Sequence, residues 1–291
     1  MKPAKECDFS HLKDRRAEGK TPLEQARFVE LYLLDVFDEI CKKNGLRYWL
    51  NYGTLLGACR HGGFIPWDDD IDVSMPESDY KRFLKIAPAL LPKNIIIHNL
   101  AKAPNSRFVF SKVMDCCSFY CEDRSDVRMP CGIFIDIFPA VRAPRLPKRM
   151  LNFICWIQYT SRRHSGDALA RLRHSILLKL KDCLEAMIYS LAYSCSVAIY
   201  NILRSILPSK NWRPSKISAG RVLLREDDIF PLSKICFEGK EYPAPHNVVA
   251  VLDGVYGDWR KLPPEDKRAV HATIITPMQA PDAYWAGKWQ G

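Results

Sequence analysis

Apolar residues first recur with the period of a helix between residues 21 and 44, where Ala26, Val29, Leu33, Val36, Phe37 and Ile40 share one face. Thr21 can N-cap this helix, Pro22 suits its first turn and Glu24 completes a capping box. Gly45 stands where a left-handed C-terminal residue is expected. An aromatic run from Arg47 to Tyr52 then predicts a strand. Gly53 to Gly57 reads as a turn into a short helix ending at His61-Gly62-Gly63, and Asp70 to Met75 as a second strand stopped by Pro76. Ser78 to Ala87 is amphipathic, with Tyr80, Phe83, Leu84 and Ala87 on one side. Short β-type runs follow at 95–98, 107–114, 118–121 and 133–138, and Pro139, Pro144 and Pro147 punctuate the exit. Together these elements predict an α+β fold, a small, mostly antiparallel or mixed sheet fed and flanked by helices.

The pattern changes at residue 148. From there to residue 207 the chain has no proline and a single glycine, Gly166, and reads as two or more helices. Met187 to Leu203 carries no charge for seventeen residues, which is the lower edge for a membrane span. Its tyrosines, serines and Asn201 favour a buried or interfacial helix instead. After Pro214 the chain is loop-rich, with short elements at 234–237 and 246–255 and an irregular tail from Tyr256.

Charge sharpens this division. Residues 141–225 hold sixteen Lys and Arg against three acids, an excess of +13 where the whole chain has +10, so the remainder stands at −3. An anionic partner, a membrane surface in particular, is expected at that middle segment. The expected organisation is a polar segment at 1–20, a catalytic core at 21–140, a basic helical insertion at 141–225, and a part from 226 to 291 that completes the core. No nucleic-acid reading motif accompanies the charge, so no nucleic-acid partner is expected. The charged first twenty residues lack an apolar signal segment, and eleven cysteines form no disulfide rhythm. Both point to a reducing cytoplasm, with contact at the inner membrane face at most peripheral. Cys116, Cys117, Cys121 and Cys131 are close in sequence but lack paired zinc-knuckle spacing, and read as structural thiols.

The candidate chemistry lies between Gly53 and Asp72. In an extended segment Asp68, Asp70 and Asp72 point one way, and Asp69 and Ile71 the other. Like charges so placed repel, and a divalent cation removes that cost. All-oxygen ligands favour Mg²⁺ or Mn²⁺. Asp136, alone in the apolar run Gly132 to Pro139, is the candidate third carboxylate from a neighbouring strand. Gly53 and Gly57 would let the backbone approach a phosphate, with the Thr54 hydroxyl beside it.

The stretch Tyr52-Gly-Thr-Leu-Leu-Gly-Ala-Cys-Arg-His-Gly-Gly-Phe-Ile-Pro-Trp-Asp-Asp-Asp-Ile-Asp-Val73 resembles the signature of the LicD family of phosphocholine transferases, of which fukutin-related proteins carry a variant. Ser111 to Asp115, Gly132 to Pro139, and Tyr256 to Pro264 with His271 downstream are similar to further segments of that family. The resemblance implies a nucleotidyltransferase-like fold. It implies Asp70, Asp72 and Asp136 as catalytic metal ligands, with Asp68 a weaker one. Lys112 and Arg60 would contact the donor phosphates, and His61 would be a phosphate contact or a structural partner. Asp258 and His271 match the C-terminal motif, which places them among the substrate-side residues.

The implied reaction is in-line displacement. An acceptor sugar hydroxyl attacks the choline-bearing phosphorus of CDP-choline and CMP leaves, with Asp136 placed to take the hydroxyl proton. The acceptor would be a glycan or lipid-linked glycan: lipopolysaccharide, teichoic acid or capsule. Trp49, Tyr52, Trp67 and Trp259 are candidates for a cage around the quaternary ammonium. Two alternatives remain open at this point. One is transfer of ribitol phosphate, glycerol phosphate or a nucleotidyl group on the same scaffold. The other is a non-catalytic basic module bound to a membrane surface.

Overall fold

A computed structural model describes residues 4–100, 109–121, 132–172, 179–214, 222–268 and 270–278. Helix α1 spans Pro22–Asn44, with the Thr21 hydroxyl accepting from Glu24 N–H and Gly45 in the left-handed region at φ 62°. The six apolar residues of its predicted face are all fully buried. Strand β1 is Trp49–Leu50, and α2 follows at once as Tyr52–His61. The predicted turn at Gly53 to Gly57 is therefore already helical. Strand β2 is Ile71–Pro76, α3 Glu77–Ile86 and β3 Ile95–Asn99. Strand β4 is Ser111–Asp115, β5 Phe119–Cys121 and β6 Phe134–Pro144.

The main sheet has seven strands, and its central path runs β1-β2-β6-β4-β3. The β2–β6 pair is parallel, while β1–β2 and β4–β6 are antiparallel, so the sheet is mixed, one of the two forms the apolar pattern allowed. Strand β6 runs straight through Pro139, where the sequence suggested an exit. The β4 partner ends opposite Ile137, so the missing N–H of Pro139 faces no strand on that side.

Helices α4 (Lys148–Leu172) and α5 (Lys179–Ile206) pack chiefly on one another, and α5 also meets β6 near Ala143. Strand β7 (Pro208–Arg213) returns to pair with β6, and β8 (Leu224–Arg225) pairs with β7. The boundary drawn at residue 141 from charge thus falls inside β6. Helix α6 (Glu226–Ile229), the hairpin of β9 (Ser233–Phe237) and β10 (Lys240–Ala244), and α7 (Val248–Tyr256) follow. The tail from Tyr256 is mostly irregular, but β11 (Ile274–Thr276) pairs with β5. The polar start of the chain also packs: Arg16 Nη1 donates to Asp115 Oδ2 (3.0 Å) and to the Pro277 carbonyl (2.7 Å). Asp115 is held there as a structural acid.

Candidate active site

Three sheet positions define the site. Asp72 of β2 is the register partner of Asp136 of β6, and Lys112 of β4 is the partner of Asp136 on the other side. Their side chains therefore leave one face of the sheet. Lys112 Nζ lies 3.3 Å from Asp136 Oδ1 and 3.0 Å from the centre of the Phe134 ring. Asp70, one step before β2, joins the two strand acids: carboxylate oxygens of Asp70, Asp72 and Asp136 lie within 4.8 Å of one another. A second group at the same spacing is Asp68, Asp70 and His271.

The alternation expected of the acidic run holds. Asp69 points away from the cluster and is 1 % exposed. Its Oδ1 accepts the His271 backbone N–H (3.1 Å), its Oδ2 accepts Ala272 N–H (2.8 Å) and the Tyr120 hydroxyl (2.9 Å). This carboxylate brings the tail to the site and sets His271 beside Asp68 and Asp70. Arg27 fixes the approach to β2 by donating from Nη2 to the carbonyls of Ile65, Pro66 and Asp68 at 2.9, 3.0 and 2.8 Å.

Electrostatics follow from this crowding. Burial, then the charges of Asp70 and Asp136, hold the Asp72 carboxyl well above the ordinary range. Burial and Asp70 push Asp68 up to about 7. Burial pulls the His271 imidazole down, but the charges of Asp70 and Asp69 outweigh it and the net direction is up. Two neighbours escaped the sequence reading. Glu30 of α1 is 1 % exposed, neither of its oxygens has a hydrogen-bond partner, and burial followed by Asp70 drives its pKa far up. Its helical position looked like one more polar residue beside a packing face. Tyr256, at the end of α7 and 43 % exposed, has its hydroxyl pushed up by burial and then by the charges of Asp72 and Asp68.

Several expected substrate contacts have other work. Thr54 is 3 % exposed, and its hydroxyl accepts the Asp72 backbone N–H (2.7 Å). The Gly53 N–H donates to the Asp72 carboxylate. A Cβ on Gly53 would lie 2.7 Å from Asp68 Oδ2, so this glycine admits the acid. Gly57 is buried within α2, and a Cβ there would strike the Gly63 carbonyl. It is a packing glycine. Arg60 and His61 close the far end of α2, where Arg60 donates to His61 Nε2 (3.0 Å) and to the Trp259 carbonyl (3.1 Å). Asp258 is half exposed and pairs with Lys261 at 2.8 Å. The four cage candidates do not gather. Trp49 is fully buried against Phe230, Trp67 lies under Arg268, and the Trp259 indole donates to Asp253. Tyr52 instead meets Phe138 (5.2 Å between ring centres), which meets Phe110 (4.7 Å). Cys116, Cys117 and Cys121 form no disulfide among the described residues and enter neither ligand group, and Cys131 lies outside the described residues.

Residues 45–164 match the family described as LicD/FKTN/FKRP, nucleotidyltransferase domain. The matched span contains the acid cluster, Lys112 and the glycines that frame them. Over these residues the chain is similar to the LicD-family nucleotidyltransferase domain. The lipopolysaccharide cholinephosphotransferase LicD of Haemophilus influenzae is 27 % identical over 274 residues, 87 % of this chain and 96 % of that one. The ribitol 5-phosphate transferase FKRP of human and mouse is 61 % identical over 31 residues, 11 % of this chain and 6 % of FKRP. A mannosyltransferase regulator of Saccharomyces cerevisiae matches 44 residues at 41 % identity, 15 % of this chain and 4 % of the yeast protein. This likeness agrees with the α+β arrangement and its mixed sheet, which are consistent with a nucleotidyltransferase-like domain. It also makes this chain a relative of transferases.

Proposed function

We propose that the protein is a metal-dependent transferase that moves phosphocholine from CDP-choline to a glycan hydroxyl with release of CMP. The observation that carries this reading is the convergence of Asp70, Asp72 and Asp136, from two parallel strands, beside Lys112. The donor set fits Mg²⁺ or Mn²⁺, since it consists of carboxylate oxygens alone. The elevated pKa of Asp72 is the repulsion that a divalent cation would relieve. Asp70, Asp72 and Asp136 would hold the ion, with Asp68 at its flank. Bound there, it would stabilise charge on the attacking and departing oxygens.

The remaining work belongs to the chain. Lys112 offers its ammonium to the transferring phosphoryl group. The acceptor oxygen bonds to phosphorus as the bond to CMP breaks, and a cluster carboxylate takes the hydroxyl proton. The rings of Tyr52, Phe110 and Phe138 offer the surface that a quaternary ammonium prefers. The full-length likeness to a lipopolysaccharide cholinephosphotransferase supports choline as the head group and a glycan as acceptor.

The short, highly identical match to a ribitol 5-phosphate transferase favours ribitol phosphate as the second reading. One experiment separates the two. CDP-choline, CDP-ribitol and CDP-glycerol are incubated with the purified protein, with Mg²⁺ or Mn²⁺ and then with a chelator, and CMP release is measured. Chelator-sensitive release from CDP-choline above the others supports the proposal. Preference for CDP-ribitol replaces it with the second reading, and no release from any donor overturns both.

A further inference from the structure

Helix α5 presents an apolar stripe that no described residue covers. Leu184, Met187, Leu191, Ile199, Ile202 and Ile206 are each between 51 and 65 % exposed. At helical spacing they fall within an arc of about 120° on one side of α5. The stripe runs for about 33 Å at the rise of an α-helix. No charged residue interrupts it from Met187 to Leu203. A lone exposed leucine needs no explanation, but a continuous strip of this length marks a contact surface.

We propose that α5 lies flat on an anionic lipid bilayer, its stripe sunk into the boundary between headgroups and acyl chains. Charge complementarity selects this occupant. The N–H of Arg145 donates to the Leu207 carbonyl (2.7 Å), which brings the start of α4 to the end of α5. Arg145, Lys148, Arg149 and Lys210 are all exposed around that junction. Lys181 is exposed at the other end of the stripe. Cations at both ends of an apolar strip match an anionic headgroup layer. A second copy laid parallel would set these cations against their own counterparts.

The helix pair also decides between lying and crossing. Lys181–Ile206 is long and apolar enough to cross a membrane by length and composition. Its partner α4 is not. Gln158 Nε2 donates to the Ser196 carbonyl (3.3 Å), the Ser165 and Ser190 hydroxyls share a hydrogen bond (2.6 Å), and Arg162 lies over the Tyr193 ring. These contacts set α4 against the middle of α5. Arg163 and Asp167, each half exposed, belong to the same stretch of α4 and would enter the hydrocarbon if the pair spanned it. Flat binding leaves them in water. The base of the pair is fastened to the sheet: Arg204 Nη1 meets Glu77 Oε2 at 2.8 Å, directly after β2, and the Tyr200 hydroxyl donates to the Arg142 carbonyl of β6 (3.3 Å).

The test uses the full chain and vesicles of phosphatidylcholine with and without phosphatidylglycerol, read by co-sedimentation. It requires no donor and no turnover, so its outcome is separate from that of the donor assay. The expected result is binding to the anionic vesicles that weakens with salt. Leu191→Glu with Ile199→Glu should reduce it at least about tenfold. Lys148→Ala and Arg149→Ala should each reduce it about fivefold. Both sites of the glutamate pair are exposed, so circular dichroism should show the fold retained. Absence of vesicle binding overturns the proposal, as does binding that the glutamate pair leaves unchanged. A dimer in solution that the glutamate pair dissociates, without vesicle binding, assigns the stripe to a second copy. Protein that stays in membranes through alkaline carbonate extraction overturns the flat placement.

Discussion

Asp69 and His271 are 202 positions apart, yet the Asp69 carboxylate accepts the backbone N–H of His271 at 3.1 Å. The neighbouring N–H of Ala272, the hydroxyl of Tyr120 and the His271 ring Nδ1 (3.1 Å) also meet this carboxylate. This buried acid works as a clasp: it faces away from the cluster and secures the segment that borders it. Asp69→Ala should leave these donors unsatisfied and destabilise the fold by roughly 2–4 kcal/mol. Denaturant unfolding measures that loss. Limited proteolysis should cut the variant earlier near residue 271 than the parent protein.

Asp72→Asn and Asp136→Asn should separate stability from activity. Each removes charge from a crowded, buried face, so the metal-free variants should melt at or above the parent temperature at neutral pH. Metal-dependent CMP release should fall on the order of a hundredfold or more. Parallel melting curves and donor assays check both halves. Unchanged release in either variant removes the acids from the mechanism.

The raised carboxyls set a pH dependence with a definite sign. Asp68 goes from 3.8 unfolded to about 7 folded, and Asp72 and Glu30 shift the same way. The folded state holds these protons more tightly, so their contribution is complete below the unfolded value and is lost as pH rises toward 7. The metal-free protein should therefore melt at lower temperature at pH 8 than at pH 5. Mg²⁺ should raise the melting temperature more at pH 8, because it binds the deprotonated carboxylates. Glu30→Gln should flatten part of the metal-free slope.

The two glycines of α2 should respond differently to alanine. A Cβ at Gly57 meets the backbone carbonyl of Gly63, which cannot step aside, and the cost should be roughly 1–3 kcal/mol. At Gly53 the obstacle is the Asp68 carboxylate, the far end of a side chain. Gly53→Ala should therefore fold nearly as well as the parent while displacing Asp68. Urea unfolding reads the first effect, and Mg²⁺ titration by calorimetry reads the second.

Local pattern made α1, β2 and the acid alternation legible, because helix period, capping residues and strand alternation act within a few residues of sequence. Asp136 was legible as a lone acid in an apolar strand. What sequence did not disclose depends on contacts between distant segments. The Thr54 hydroxyl looked available for phosphate, but the register of β1 and β2 brings the Asp72 N–H to it. Pro139 looked like a strand end, and only the length of β4 explains why β6 continues. Tyr256 and Glu30 feel the charge of the cluster from α7 and α1, and no spacing rule connects those helices to β2.

The clasp at Asp69 also orders events in time. A chain leaving the ribosome has Asp68, Asp70, Asp72, Lys112 and Asp136 in hand long before residue 271 is made. Until then the Asp69 carboxylate lacks every contact it makes with His271 and Ala272, and β5 lacks the β11 edge that later pairs with it. The nascent protein can assemble its central strands early, yet the histidine border of the acid cluster is set only once residues 271 and 272 have been made.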